Sequence, residues 1–173
     1  MSDPVTGLNG AHFVGDITVT DAGLTGMISI RGDFASEAFR NAVRSATGHA
    51  VPDTRAISGD ATGGLAWMSP DELIFFCAYT EAPSKAEVLT DQLQGTHHMV
   101  AVISDARAVF RLSGSHVRDM LAKGAPIDLD PAKFGEGEIR RTRLGQVAVA
   151  FWFAEPSVVE LVCFRSVAGF VMD

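Results

Sequence analysis

The chain has few of the residues that mark a secreted, membrane-spanning or metal-dependent protein. It holds only two cysteines, Cys77 and Cys163, each inside an apolar run, unlike the spaced, loop-borne cysteines of a small disulfide scaffold. A reducing cytoplasm is therefore the expected compartment. The longest apolar run, residues 147–154, falls far short of the ~18 residues of a membrane-crossing helix, so no membrane association is expected. The first Lys or Arg is Arg31, so the opening residues lack the positive n-region of a secretory leader. No Gly-x-Gly-x-x-Gly follows a strand-like run and no Gly-x-x-x-x-Gly-Lys occurs, which removes the usual phosphate-cradling loops. The five histidines, His12, His49, His97, His98 and His116, show neither His-x-x-x-His nor Cys-x-x-Cys spacing, so no metal site is expected.

What is present is an ordinary globular composition: 173 residues, 47% hydrophobic and 20% charged, with net charge −7. A chain of this length buries enough surface to build a core without staples. Its acidity disfavours nucleic acid, whose binding rests on cations that displace phosphate counterions. The charge is uneven. Residues 1–106 hold 5 Lys/Arg against 13 Asp/Glu, whereas residues 107–143 hold 8 against 5. Arg140, Arg141 and Arg143 form the densest basic cluster, and two readings stay open for it. One is a solvated strand edge that discourages edge-to-edge pairing. The other is a docking face for an anionic ligand or an acidic protein partner, and strand alternation would put Arg141 and Arg143 together on that face.

Along the chain, residues 1–26 are rich in Gly, Thr and Asp without periodicity and read as an irregular arm. Residues 27–31 alternate as a strand does, and 33–46 then switch to helical spacing, with Ser36 as N-cap and Gly48 as stop. A short strand is expected at 54–58, a turn at Gly63-Gly64, strands at 65–68 and 73–78, and a helix at 85–94. The second half reads as strands at 99–104 and 108–112, a helix at 116–122, strands at 138–144, 147–154 and 158–164, and a closing helix at 166–172.

The same order thus occurs twice. Residues 27–32 parallel 109–114, Gly48 parallels Gly124, and the run from Pro70 parallels that from Pro156. The predicted fold is α+β: one domain at 27–173, built of two similar half-units at 27–98 and 99–173, each strand, helix, three strands, helix, related by a pseudo-twofold.

Individual side chains argue against independent chemistry. His97-His98 read as a helix C-terminal pair favoured by the dipole, with a general base as the other reading. Both cysteines read as small buried hydrophobes, because neither has the basic setting of a reactive thiolate. Trp67 and Trp152 suit either core packing or an interface. Asp128 and Asp130 suit turn capping better than paired acid–base work.

Four stretches carry a resemblance: 67–74, Arg111-Leu112-Ser113-Gly114 continuing into 118–129, Thr142-Arg143-Leu144-Gly145-Gln146-Val147, and Glu160-Leu161-Val162 with Phe164-Arg165-Ser166. Together they resemble the gamma subunits of heterotetrameric sarcosine oxidases, from about residue 27 onward, and that family is in turn similar to a domain of the folate-binding aminomethyltransferases. The resemblance implies a non-catalytic assembly subunit, with alpha, beta and delta subunits as partners and no cofactor of its own. FAD, FMN, NAD and tetrahydrofolate would be held by the other subunits of a complex that converts sarcosine to glycine. Ala125 stands where a Cys is common in that family, so no thiol chemistry is expected there. A free-standing folate-binding one-carbon protein of the same fold is the alternative, though no carboxylate is evident for holding a pterin. A ligand-binding α+β module unrelated to either also remains open.

Overall fold

Polar anchoring, not an apolar stripe, organises the N-terminal residues of this computed structural model, which describes residues 3–173. The Asp21 carboxylate accepts from the Gly10 and Gly23 N–H groups, each at 3.0 Å, and from the Thr6 hydroxyl. Strands β1 (His12–Val14) and β2 (Thr18–Asp21) form a hairpin in which Phe13 faces Val19. The irregular arm expected at 1–26 is thus corrected. Strands of three and four residues, exposed or half-buried throughout, are too short to print a period on the sequence.

The chain forms two units, Thr25–Ser104 and the residues up to Leu24 taken with Asp105–Asp173. In the first, β3 (Thr25–Gly32) buries Ile28 and Ile30 on one face and Met27 and Ser29 on the other. Helix α1 (Glu37–Thr47) starts where the Ser36 hydroxyl accepts from the Phe39 N–H at 3.3 Å, and stops at Gly48, whose φ of 80° is left-handed. Both caps satisfy backbone groups that a helix end leaves open. Phe39 packs over Gly32 so closely that a Cβ there would lie 2.3 Å from its ring. Next come β4 (Ile57–Asp60), β5 (Gly63–Ser69), β6 (Glu72–Ala78), α2 (Ala82–Gln92) and β7 (His98–Val102). The sheet order is β4-β5-β6-β3-β7, and every pairing is antiparallel. Phe39, Val43 and Leu89 of the helices meet Ile28, Leu65 and Phe75 of the sheet in a continuous core.

In the second unit, β8 (Arg107–Ser113), α3 (Val117–Ala122), β9 (Ile139–Leu144), β10 (Val147–Glu155), β11 (Val158–Phe164) and α4 (Ala168–Met172) follow in order. Their sheet runs β1-β2-β8-β11-β10-β9. Phe110, Phe151, Phe153 and Leu161 bury one face against Val117, Leu121 and Phe134. Fully burying each such side chain is worth roughly 1.5–3 kcal/mol.

The strand-helix-three strands-helix order therefore appears in both units, and the ladders match residue for residue. Ser29 pairs with Ile74 and Arg31 with Glu72. Under the sequence parallel these correspond to Arg111 with Glu160 and Ser113 with Val158, which are the observed partners. The boundary differs from the expected 27–98 and 99–173. β7 pairs with β3, and β2 holds the matching place beside β8, so the N-terminal hairpin completes the second sheet while the strand at 98–102 completes the first.

Local departures have local causes. The strand expected at 54–58 begins only at Ile57, because Arg55 has φ 63° and the Ala56 N–H closes a turn onto the Asp53 carbonyl. Gly63 and Gly64 lie in β5, and the turn sits earlier, where the Asp60 carboxylate accepts from the N–H groups of Thr62 and Gly63.

Candidate functional site

β9 is an edge strand, and its arginines divide between two faces as alternation requires. Arg140 lies on the face of Phe151, its ladder partner. There its guanidinium sits 4.5 Å from the Phe134 ring centroid and donates to Glu138 at 3.0 Å and to the Lys133 carbonyl at 3.1 Å. It is spent on structure. Arg141 and Arg143 are exposed on the other face, opposite Ala150 and Ala148.

The 118–129 stretch is a clamp. Arg118, on α3, donates to the Leu129 carbonyl at 2.7 Å and the Phe134 carbonyl at 3.0 Å while its guanidinium lies 3.6 Å from the centroid of Phe153. Burial pulls its pKa down, and the nearby Asp130 charge opposes that shift. Asp128 and Asp130 accept from the N–H groups of Asp130 and Ala132 at 2.9 and 2.8 Å. Their turn role is thereby accounted for, and the loop that Arg118 closes is built by its own side chains.

Arg111 reaches Glu160 at 3.3 Å and Glu155 at 3.1 Å, and Glu160 is the one buried carboxylate among the described residues, 5% exposed. A buried carboxylate needs such a partner. Both cysteines are buried and free. Burial pushes the Cys77 thiol up, and pushes Cys163 up to about 11, which keeps both sulfurs protonated and poorly nucleophilic at neutral pH.

His97 and His98 do not cap a helix, because α2 ends at Gln92 and His98 opens β7, with its Nδ1 3.0 Å from the Thr96 carbonyl. A serine–histidine contact that sequence reasoning missed lies elsewhere: His49 Nδ1 is 2.9 Å from Ser58 Oγ. These residues are separated by a loop and carry no motif. The contact fastens the loop after α1 to β4, with no carboxylate among the described residues to orient the ring as a catalytic base requires. Trp152 is buried in the core while Trp67 is half-buried.

Beneath the β1–β2 hairpin, an apolar cavity of about 250 Å³ is lined by Phe13, Ile17, Phe110, Met120, Leu144 and Met172 among others. No local pattern foretells it, since its walls come from opposite ends of the chain. Among the described residues no cluster of His, Cys, Asp and Glu is arranged to hold a metal, and no helix is long and apolar enough to cross a membrane.

This architecture, an α+β chain of two antiparallel sheets, is an aminomethyltransferase-like fold. The glycine cleavage system aminomethyltransferase T from Bartonella henselae superposes with a TM-score of 0.64 at 13% identity, over 87% of this chain and 43% of that one. More narrowly, the chain belongs to the sarcosine oxidase gamma subunit family, whose model matches residues 31–172. The heterotetrameric sarcosine oxidase from Corynebacterium sp. U-96, in complex with pyrrole 2-carboxylate, contains a chain that superposes with a TM-score of 0.84 at 24% identity, over 93% of this chain and 83% of that one. The ligand-free regulatory subunit of aspartate kinase from Thermus thermophilus shares the fold more loosely, with a TM-score of 0.51, 12% identity and 90% coverage of each chain. No curated protein matches the chain.

Proposed function

We propose that this chain is the non-catalytic gamma subunit of a cytoplasmic heterotetrameric sarcosine oxidase, assembling with alpha, beta and delta subunits that oxidise sarcosine to glycine. FAD, FMN, NAD and tetrahydrofolate are held by those other subunits. One observation carries the reading: four charged side chains in the stretches that resemble the family, Arg111, Arg118, Asp128 and Asp130, are committed inside this chain. Arg118 holds two backbone carbonyls, Arg111 two glutamates, and Asp128 and Asp130 their own turn. A catalytic group has to be turned toward a substrate with its reactive form available, and these are engaged elsewhere. Arg141 and Arg143, exposed on an edge strand, are the residues we assign to a partner contact.

The test is co-expression with the alpha, beta and delta subunits, followed by gel filtration and sarcosine-dependent oxygen uptake. A stable complex containing this chain is expected, and the isolated chain is expected to be colourless and inactive toward sarcosine. A flavin spectrum, folate binding or turnover by the isolated chain would overturn the reading and favour the free-standing one-carbon protein.

A further inference from the structure

The two sheets differ at one matched edge. Beside β8 stands β2, and β2 is itself covered by β1. Beside β3 stands β7, and nothing among the described residues pairs with its outer side. The Ile103 N–H donates to the Met27 carbonyl at 2.8 Å and the ladder continues with Ala101 opposite Ser29. Alternation of paired and unpaired positions then turns the backbone N–H and C=O groups of Val100 and Val102 away from β3, toward the open edge.

Open strand edges invite pairing, and proteins blunt them with shortness, charge, bends or cover. The other three edge strands among the described residues each show such a device. β9 carries Arg140, Arg141 and Arg143, β1 has only three residues, and the four-residue β4 contains Gly59 at φ 85° and ends in Asp60. β7 has none of these. Its five residues, His-Met-Val-Ala-Val, include no Lys, Arg, Asp, Glu or Pro, and Met99 and Val102 are 42% and 45% exposed.

The matched sheet indicates what such an edge accepts. Val100 pairs with Ile30 as Val19 pairs with Leu112, and Val19 is met on its outer side by Phe13 of β1 in an antiparallel ladder. The strand that fills the matched place, β1, carries His12, Phe13 and Val14 and no Lys, Arg, Asp or Glu. We propose that the β7 edge is a strand-addition site for another subunit of the complex. The occupant is an extended, uncharged segment, antiparallel to β7, that places an apolar side chain opposite Val100. Main-chain hydrogen bonds would supply the binding, and the side-chain pockets the register. The inference rests on the proposed subunit role.

Hydrogen exchange at the Val100 and Val102 amides, compared between the isolated chain and the assembled complex, tests it directly. Assembly is expected to slow both by roughly two orders of magnitude, while amides already bonded to β3 change little. As a second arm, the double variant Met99→Lys with Val102→Lys changes two exposed side chains. It is expected to keep the thermal midpoint of the isolated chain and to enter the complex on the order of tenfold more weakly. If the chain enters the complex while Val100 and Val102 exchange as in the free protein, the inference fails and the subunit role stands. If the chain enters no complex, the subunit role fails first. Protection that grows with the concentration of the isolated chain would overturn the inference by assigning the edge to self-pairing.

Discussion

Arg118 and Phe153 stack with the guanidinium carbon 3.6 Å from the ring centroid, in the same place where Arg118 holds the Leu129 and Phe134 carbonyls. Phe153 also meets Phe134 edge-on, at 5.1 Å and 77°, and Arg118 holds the Phe134 carbonyl. One cation thereby ties α3, the loop at 123–138 and β10 together. The stack is favourable because a half-buried guanidinium meets the negative face of the ring, and the two carbonyls occupy donors that partial burial takes from water.

Removing this clamp should be costly. Arg118→Ala is expected to destabilise the isolated chain by about 2–4 kcal/mol, from two charge-assisted hydrogen bonds and a cation–ring contact. Arg118→Lys should recover only part of that, since an ammonium lacks the planar fork that serves both carbonyls. Urea unfolding measures both. A midpoint unchanged by the alanine variant would show that the clamp is dispensable.

At Gly32 the fold tolerates no side chain while Phe39 keeps its place. Gly32→Ala sets a Cβ 2.3 Å from the Phe39 ring, and forcing the ring aside is expected to cost about 1–3 kcal/mol. Combining it with Phe39→Leu should cost less than the sum of the two single changes, because the smaller side chain removes the clash. Strict additivity in thermal or urea unfolding would contradict this geometry.

The raised thiol of Cys163 ties stability to alkaline pH. Burial pushes its folded pKa up to about 11, above the ordinary thiol value of 9.0. Its contribution is therefore complete below the unfolded pKa and is lost as pH rises through about 11. Between roughly pH 9 and 11 the wild type should lose stability more steeply than Cys163→Ala. Native Cys163 should also resist iodoacetamide at pH 8 and react once the chain is unfolded. Rapid alkylation of the folded protein, or parallel stability curves, would argue against the buried, protonated thiol.

For Arg141 and Arg143 the expectation concerns assembly. Exposed on β9, both can be changed to Ala with little effect on the isolated chain, within about 0.5 kcal/mol. Association with the alpha and beta subunits should weaken by a few kcal/mol at most, with a smaller difference at high salt, as paired interface charges behave. Titration at low and high salt reads this out. Equal affinity at both would return the two arginines to the role of a solvated edge.

Much of the fold was legible because its signals are short-range. The Ser36 cap acts on an N–H three residues away, and Gly48 reports its own left-handed φ. The alternation of Arg141 and Arg143 against Arg140 follows from strand geometry alone. The parallel between residues 27–32 and 109–114 also survives in the ladders, since matched positions pair with matched partners.

What the sequence by itself determined, then, is the α+β order, the repeated strand-helix pattern, the helix caps and the family to which the chain belongs. These depend on contacts within a few residues or on whole motifs. Tertiary structure alone decided that residues 12–21 form strands on the second sheet and that β7 pairs with β3. It also decided that Arg118 reaches across to Phe153 and that the apolar cavity opens beside Phe13 and Met172. In each of these cases the partner lies far along the chain. A three-residue strand or a lone arginine has no local preference strong enough to declare its place. Its conformation is chosen by the free energy of a contact that exists only once the distant segment has arrived.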